Sequence, residues 1–202
     1  MSAPPLVVVD RDGTIIDFHR HEELGAVVSA FHPSQLRLLP GAAEGLALLA
    51  RAGSRLAIAT NQPGPAKGQI TRAAIDATNA ALVELLAAAG APIDAVHVCL
   101  HHPDGGPGGD ASLVRVCACR KPAPGLLLEA AARIGAAPSA CWMIGDADVD
   151  VAAARGAGFH AALVMTPGRC ELCPLRGALS SPPPDVVAPS IAEIAAQILR
   201  WP

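Results

Sequence analysis

The stretch DRDG at residues 10–13 places two carboxylates, Asp10 and Asp12, one residue apart at the end of the apolar run LVVV. Side chains at i and i+2 of an extended chain point to the same side, so both carboxylates can enter one site. The same alternation predicts that Arg11 points away from the pair. Two close carboxylates repel each other unless a cation bridges them or one keeps a proton. One acid can then be a nucleophile or metal ligand while its neighbour donates and accepts a proton.

Polar residues at the ends of other apolar runs indicate what this pair could act on. Alone, D-x-D-G is also typical of a turn that ends a strand. The matching residues are Thr60 and Asn61 in IATN, Arg120 and Lys121 in CRKP, and Asp146, with Asp148 and Asp150 behind it, in MIGDADVD. They add a hydroxyl and an ammonium for phosphate oxygens, and a carboxylate for Mg²⁺, which binds few carboxylates together with waters and a substrate phosphate. The set predicts phosphoryl transfer, which chiefly needs positioning and neutralisation of charge.

Cysteine and histidine residues flank the glycine- and proline-rich stretch HHPDGGPGGD. Cys99 and His101 are two residues apart, as are Cys117 and Cys119, so each pair can present two ligands from extended chain. Three thiolates and an imidazole form a closed, tetrahedral zinc site of the structural type. Zinc would therefore order residues 99–119, whose central stretch cannot form a regular element. It would also fix the basic residues that directly follow the last cysteine.

The remaining cysteines and histidines have competing interpretations. Two further histidines are alternatives to His101 as the fourth ligand, namely His97 and His102. A free buried thiol is the interpretation that fits Cys141, which lies within an apolar run. Cys170 and Cys173 form a C-x-x-C pair, but two further ligands cannot be placed beside them, so we expect unpaired loop thiols.

The segments that must position these residues alternate between two patterns. Continuous apolar runs, which are typical of parallel strands covered on both faces, occupy residues 6–9, 55–59, 94–99, 141–145 and 161–165. Helix-forming residues dominate 41–53, 71–90, 124–136, 148–158 and 191–200. This alternation predicts an α/β fold with a mostly parallel sheet. Ligands of such sheets bind beyond the carboxyl ends of the strands, where the polar residues lie.

Composition limits the class of protein further. The 202 residues predict a single domain, 1–202, and 51% hydrophobic residues suffice for a core. A net charge of −3 argues against nucleic-acid or anionic-membrane partners. No stretch approaches the roughly 18 apolar residues of a membrane span, and the N-terminal apolar run is shorter than the roughly 7–15 residues of a signal-peptide core. We therefore expect a cytoplasmic monomer with reduced thiols, in which the polar residues 16–38 form a lid or substrate loop.

Four motifs together carry a resemblance to a known family. VVVDRDGT, IATNQPG, CRKPAPG and MIGDADVD, in this order and at these intervals, resemble the motifs of the haloacid dehalogenase-like (HAD-like) phosphohydrolases. The resemblance covers nearly the whole chain. It implies a three-layer αβα Rossmann-like fold with only a minimal cap. It also implies a Mg²⁺-dependent phosphomonoesterase that works through an aspartyl-phosphate intermediate.

The resemblance also implies a role for each motif residue. Asp10 would attack phosphorus, and Asp12 would protonate the leaving alcohol and then deprotonate the hydrolytic water. Thr60 and Lys121 would hold the phosphoryl group. Mg²⁺ would bind Asp10, Asp146 and the backbone carbonyl of Asp12. A non-catalytic phosphate-binding scaffold on the same fold is the alternative from another class, and the retention of all five residues disfavours it.

The cysteine-bearing loop narrows the resemblance to a zinc-loop subgroup. The pattern C-x-H…C-x-C-R-K-P is similar to that of D-glycero-D-manno-heptose 1,7-bisphosphate 7-phosphatases and histidinol-phosphate phosphatases, and TNQPGPAKG is closer to the former. This implies removal of the 7-phosphate, with Arg120 and Asn61 contacting the substrate. Histidinol phosphate and other small sugar phosphates are the alternatives. The chain departs from the heptose pattern at Ile16, where asparagine is usual, and at Ala147, where lysine is usual.

Overall fold

The computed structural model describes residues 4–21, 23, 25–165 and 183–202, along which strands and helices alternate. The strands are β1 Leu6–Val9, β2 His19–His21, β3 Ala26–Val28, β4 Arg55–Asn61, β5 Ala95–Cys99, β6 Trp142–Gly145, β7 His160–Val164 and β8 Val186–Ala188. The helices are α1 Ala42–Arg51, α2 Arg72–Ala88, α3 Gly125–Ile134, α4 Asp148–Ala157 and α5 Ile191–Ile198. None of the helices in these ranges is long and apolar enough to cross a membrane.

Six parallel strands form the central sheet, in the order β5-β4-β1-β6-β7-β8. Strand β1 lies in the interior of the sheet, and its side chains alternate between two cores. Val7 and Val9 pack into one core, whereas Leu6 and Val8 pack into the other. Because both faces are covered, the strand is apolar throughout, and its first polar side chain appears only beyond its carboxyl end.

Helices cover both faces of this sheet. One core contains buried side chains of α1, α2 and α5, and the other contains those of α3 and α4. The result is the three-layer αβα arrangement that the sequence predicts, and each predicted helix and buried strand is present. Strand β8 was not predicted, because a three-residue edge strand gives too short an apolar run to recognise.

The described residues between positions 16 and 38 form a short hairpin and a helical turn. Strands β2 and β3 pair in antiparallel register as a separate two-stranded sheet, and Pro33–Gln35 form a single helical turn. Among the described residues between β1 and α1, the hairpin and this turn are short elements, which agrees with the minimal cap that the family resemblance implies. The C-x-x-C pair, Cys170 and Cys173, lies outside the described residues.

Candidate active site

The carboxyl ends of three adjacent strands meet at one cavity. Strand β1 lies between β4 and β6 in parallel register, so the residues that follow the three strands converge at one edge of the sheet. The cavity there has a volume of about 250 Å³. It brings together six of the predicted site residues, namely Asp10, Asp12, Thr60, Asn61, Lys121 and Asp146.

Lys121 lies at the centre of the charged groups of this cavity. Its side chain is almost fully buried, and Nζ lies 2.5 Å from Asp10 Oδ1 and 2.6 Å from Asp150 Oδ1. Nζ also donates a hydrogen bond of 2.8 Å to the carbonyl oxygen of Ala59. Burial lowers the pKa of Lys121, but the charges of the two carboxylates outweigh burial and raise it above its ordinary value. A charged ammonium is therefore fixed against the predicted nucleophile.

Asp150 has a larger part in the site than the sequence indicates. The sequence suggests only support of Asp146 or a favourable charge in the first turn of a helix. In the structure Asp150 is buried, pairs with Lys121 and accepts a hydrogen bond of 3.2 Å from the backbone N–H of Ala147. The sequence feature that could have indicated the role of Asp150 is its spacing from Asp146. The two residues are four positions apart at the start of a helix, where such residues lie on the same side.

Three carboxylates of the cavity can share one cation. Asp10, Asp146 and Asp150 each offer an oxygen, and these oxygens all lie within 4.8 Å of one another. Burial raises the pKa of Asp10 to about 8, even though the charge of Lys121 acts in the opposite direction. Burial, followed by the charge of Asp150, raises the pKa of Asp146 to about 7. A divalent cation with a preference for oxygen would favour the ionised forms, so the donor set fits Mg²⁺.

The turn after β1 depends on a glycine. Gly13 has φ +85°, a conformation that L side chains rarely adopt, and a Cβ at this position would overlap the carboxylate of Asp146. Thr14, the next residue, donates a hydrogen bond of 3.2 Å from Oγ1 to Asp146 Oδ1. The DRDGT stretch therefore places not only its own acids but also the acid that follows β6.

Asp12 is held by a buried guanidinium, which the sequence does not predict. Arg11 is completely buried, and its Nε and NH2 lie 3.0 and 3.2 Å from the two carboxylate oxygens of Asp12. Its other contacts are Asn79 Oδ1 on α2 at 2.7 Å and the carbonyl oxygen of Ala30 at 3.1 Å. The prediction that Arg11 points away from the pair is wrong, because β1 ends at Val9 and strand alternation does not extend into the turn.

The end of β4 contributes three consecutive polar side chains. Thr60 Oγ1 accepts a hydrogen bond of 2.9 Å from Gln62 Nε2, and the same nitrogen donates to Asp12 Oδ2 at 2.7 Å. Asn61 bonds the backbone of Lys121 in both directions, with its Oδ1 accepting at 3.1 Å and its Nδ2 donating at 3.0 Å. Asn61 thus fixes the lysine and still lines the cavity. The part of Gln62 was not predicted, although its place two residues after Thr60 matches strand alternation.

Ile16, which departs from the heptose pattern, does not line the cavity, whereas residues beside the hairpin strands do. Ile16 is completely buried in the core. The cavity is instead lined on this side by Phe18 and Ser29, and from α4 and the turn before it by Val149 and Ala147. The difference at Ile16 is therefore one of core packing. The alanine at position 147 does lie at the wall of the cavity, where a longer side chain would reduce its volume.

A second cluster of four side chains lies beside this site. The three sulfur atoms of Cys99, Cys117 and Cys119 lie 3.1, 3.3 and 3.6 Å apart. His101 Nδ1 lies 3.2 Å from the Cys119 sulfur and 3.7 Å from the Cys99 sulfur. In tetrahedral zinc sites, bonds of about 2.3 Å to sulfur and about 2.0 Å to nitrogen place ligand atoms about 3.5–3.8 Å apart. The Cys/His cluster, as we call these four residues, can therefore bind zinc.

The thiols of the Cys/His cluster differ in their electrostatics. Burial raises the pKa of Cys99 and of Cys119. Burial acts in the same direction on Cys117, but hydrogen bonds from the Cys119 thiol and the Arg120 backbone N–H outweigh it and lower the pKa of Cys117. Hydrogen bonds between neutral thiols are weak and stabilise such a cluster little. A zinc ion would bind all three sulfur atoms as thiolates. The donor set and its geometry both fit structural zinc.

The two histidines that could replace His101 lie elsewhere. His97 is buried in β5 with its Nδ1 3.2 Å from Glu129 Oε1. His102 Nδ1 accepts a hydrogen bond of 3.2 Å from the backbone N–H of Asp104. Cys141 is a buried free thiol that donates to the Ala137 carbonyl oxygen at 3.3 Å, which confirms its interpretation.

Arg120 is tied to the Cys/His cluster on both its backbone and its side chain. Its backbone N–H donates to the Cys117 sulfur at 3.4 Å, and its NH1 donates to the His101 carbonyl oxygen at 3.3 Å. Within the described ranges, the residues that line the cavity do not include Arg120. The substrate contact predicted for Arg120 therefore stays a prediction, which requires the guanidinium to turn towards the cavity mouth.

Removing a ligand of the Cys/His cluster should release its metal. We expect Cys119→Ser to lose stoichiometric zinc, because hydroxyl oxygen is a poor ligand for a site built from soft sulfur donors. The thermal unfolding temperature should fall, because zinc binding contributes directly to folding. Elemental analysis of the purified protein measures the metal. Cys141→Ser is the matched control, since it changes a buried thiol outside the cluster, and an equal loss of zinc in both variants would contradict the site.

Comparison with known proteins gives a consistent result. A family model for HAD-hydrolase-like proteins matches residues 118–194. A D-glycero-beta-D-manno-heptose-1,7-bisphosphate 7-phosphatase of Pseudomonas aeruginosa is 34% identical over 162 residues, which cover 80% of this chain and 81% of that one. The enzyme of the same name from Bordetella bronchiseptica is 33% identical over 196 residues, which cover 96% of this chain and 98% of that one.

A solved structure extends the similarity to three dimensions. The D,D-heptose 1,7-bisphosphate phosphatase of B. bronchiseptica, complexed with magnesium and phosphate, has a TM-score of 0.76 and 29% identity, with 99% of each chain covered. A HAD-like protein of Mesorhizobium loti has a TM-score of 0.75 and 26% identity, over 98% of this chain and 87% of that one. The chain studied here therefore belongs to the haloacid dehalogenase-like phosphohydrolases and is a phosphoric monoester hydrolase, as its four motifs predict.

Proposed function

We propose that this phosphatase removes the 7-phosphate of D-glycero-D-manno-heptose 1,7-bisphosphate through an aspartyl-phosphate on Asp10. The observation that carries the proposal is the contact of 2.5 Å between Lys121 Nζ and Asp10 Oδ1 at the carboxyl end of β1. It fixes the nucleophile beside a cation that can also reach a phosphoryl oxygen. The names of the relatives from two bacteria support the choice of substrate.

In the first half of the reaction, a carboxylate oxygen of Asp10 forms a bond to phosphorus as the bond between phosphorus and the ester oxygen breaks. Asp12 gives its proton to that departing oxygen, so the product leaves as a neutral alcohol. Thr60 and Lys121 donate hydrogen bonds to the phosphoryl oxygens, on which negative charge is concentrated. The acyl phosphate then remains on Asp10.

In the second half, Asp12 removes a proton from water, and the water oxygen forms a bond to phosphorus. The bond between phosphorus and Asp10 breaks, which releases inorganic phosphate and restores the carboxylate. The buried donors around Asp12 keep its carboxylate in one position for both transfers. Acid and base are therefore the same residue, used in turn.

The two metals have separate places in this proposal. Asp10 and Asp146, together with the backbone carbonyl of Asp12, would hold Mg²⁺, which when bound neutralises charge on the phosphoryl oxygens. Asp150 completes the cluster of carboxylates and balances Lys121. The Cys/His cluster would hold zinc in a closed site, where it supplies structure and no open position for substrate.

The surroundings of the cavity agree with a small, polar substrate. The cavity of about 250 Å³ can enclose a phosphoryl group and part of a sugar, and the minimal hairpin leaves the rest of a larger substrate outside. Arg120 and Asn61 are our proposed substrate contacts at its rim. We further propose that residues 1–202 act as one domain and as a monomer, and the cytoplasmic location stays a prediction from the sequence.

Substrate preference is the experiment that tests this function. We expect kcat/KM to be at least about 10-fold higher for the heptose bisphosphate than for histidinol phosphate, a difference of roughly 1.4 kcal/mol in transition-state binding. Both are measured as Mg²⁺-dependent phosphate release under the same conditions. Equal values, or a higher value for histidinol phosphate, would contradict the assignment of the substrate while leaving the phosphatase chemistry in place.

A further inference from the structure

Gln62 joins two residues of the proposed mechanism through one nitrogen atom. Its Nε2 lies 2.7 Å from Asp12 Oδ2 and 2.9 Å from Thr60 Oγ1. The side chain is 1% exposed, so these contacts are made away from solvent. Gln62 is not among the described residues that line the cavity. It therefore contacts the proton-transfer residue and the phosphate-binding residue from behind, on the side away from substrate.

The orientation of the Gln62 amide follows from its partners. When Asp12 is ionised and acts as the base, its carboxylate only accepts hydrogen bonds, so the amide group that faces it is the NH2, as in the structure. The carbonyl oxygen, Oε1, is then left buried with no hydrogen-bond partner among the described residues. A buried carbonyl without a partner is unfavourable. The amide is therefore oriented for the two contacts of its NH2 group and not for a partner of its carbonyl.

The contact with Thr60 has a consequence for the direction of the hydroxyl. Because Nε2 donates to Oγ1, the hydroxyl oxygen acts as an acceptor towards Gln62 and its own hydrogen must point elsewhere. The Thr60 side chain lines the cavity. Its hydrogen is not used in the contact with Gln62 and is thus available to a phosphoryl oxygen.

The contact with Asp12 completes a set of four donors. Arg11 Nε and Gln62 Nε2 bond Oδ2 at 3.0 and 2.7 Å, while Arg11 NH2 and the Ala30 backbone N–H bond Oδ1 at 3.2 and 3.3 Å. The Gln62 bond is the shortest of the four, so Oδ2 is the more firmly held oxygen. The backbone N–H of Gln62 in turn donates to the carbonyl oxygen of Cys99 at 2.8 Å, next to the Cys/His cluster.

We infer that Gln62 is a positioning residue, which holds the Asp12 carboxylate in line with the leaving oxygen. This inference rests on the proposed function, since it needs Asp12 as the proton donor. Proton donation matters most when the leaving group is a poor one. An alkoxide must be protonated as it leaves, whereas p-nitrophenolate leaves without a proton.

The test compares two leaving groups in the Gln62→Met variant, which keeps the length of the side chain and removes its donors. General acid catalysis contributes about 10²–10⁴-fold, and one of four donors should account for part of it, so we expect kcat to fall about 10–100-fold with a sugar phosphate. With p-nitrophenyl phosphate we expect a fall below about 3-fold. The retained aryl activity also shows that the variant is folded.

Two reference variants make the outcome interpretable. Gln69→Met applies the same change to an exposed glutamine seven positions later in the chain and should leave both activities unchanged. Asp12→Asn should show the same dependence on the leaving group, with a larger decrease in kcat for the sugar phosphate. If Gln62→Met fails to fold, Gln62→Asn serves instead, because its shorter amide cannot reach both partners.

Two results would overturn the inference, and they are distinguishable. In the first, Asp12→Asn depends on the leaving group, but the Gln62 variant loses activity equally on the two substrates or on neither. This result would refute the positioning role and leave the mechanism intact. An Asp12→Asn variant without dependence on the leaving group would refute the proposed mechanism itself, and the role of Gln62 with it.

Discussion

Replacing Asp10 with asparagine is expected to lower kcat by about 10⁴–10⁶-fold, the loss usual for removal of a nucleophile. The amide keeps the size of the side chain but cannot form the acyl phosphate. It also removes one carboxylate from the group of three, so binding of Mg²⁺ should weaken. Phosphate release in the presence of saturating Mg²⁺ measures the effect, and substrate binding can be followed separately by calorimetry.

A surface aspartate provides the control for this change. Asp76 lies on α2 with its side chain 64% exposed and 3.8 Å from Arg72, so Asp76→Asn should leave kcat within about 2-fold of the unchanged protein. Activity of Asp10→Asn above about 1% would contradict a covalent intermediate on Asp10. It would leave only a mechanism in which water attacks the phosphate ester directly.

Replacing Lys121 with methionine should impair both activity and stability. Loss of one preorganised donor to a phosphoryl oxygen typically lowers kcat by about 10²–10³-fold. The change also leaves Asp10 and Asp150 buried without the cation between them. Removing one partner of a buried ion pair costs about 3–5 kcal/mol, so the midpoint of denaturant unfolding should fall clearly. Saturating Mg²⁺ should recover part of that stability, because it restores positive charge beside the carboxylates.

The chain contains one other lysine, which serves as the matched control. Lys67 is half-buried in the loop after β4 and is not among the described residues that line the cavity. Lys67→Met should therefore change the free energy of unfolding by less than about 1 kcal/mol. Equal effects of the two substitutions on stability, or an unaltered kcat in Lys121→Met, would contradict the central position of Lys121.

The sheet and its catalytic edge follow from the sequence for a physical reason. A parallel strand covered on both faces must be apolar along its whole length, so LVVV marks a strand and the first charge marks its end. The carboxyl ends of parallel strands share one edge, so Asp10, Thr60 and Asp146 could be placed together without coordinates. The Cys/His cluster could also be predicted, from the spacing of two residues within each pair and from the types of its four donors.

The contacts behind these residues could not be derived in the same way. Arg11 turns inward because β1 ends at Val9, and the apolar run does not indicate how side chains point in the turn beyond the strand. The partner of Arg11 on α2 is Asn79, which is 68 residues away in the chain. Such a contact depends on the packing of a helix against the sheet, and a single polar residue in an amphipathic segment does not indicate it.

The residues that determine which substrate fits the cavity also could not be identified from the sequence. Comparison of motifs emphasises Ile16 and Ala147 equally, because both replace residues that are usual in the heptose enzymes. The structure separates them, since Ile16 is buried in the core whereas Ala147 lines the cavity. Phe18 and Ser29 reach the cavity from the hairpin, which no period in the sequence predicts. Changes of substrate are therefore expected to follow these three cavity residues and not Ile16.

Following the reaction of D-glycero-D-manno-heptose 1,7-bisphosphate by phosphorus NMR tests the central claim most directly. The two phosphates of this substrate have distinct resonances, so the spectrum reports which ester is cleaved. With Mg²⁺ present, the 7-phosphate signal should disappear as inorganic phosphate grows in equal amount, while the 1-phosphate signal persists. Loss of the 1-phosphate signal first, or no inorganic phosphate from a protein that hydrolyses p-nitrophenyl phosphate, would contradict the account.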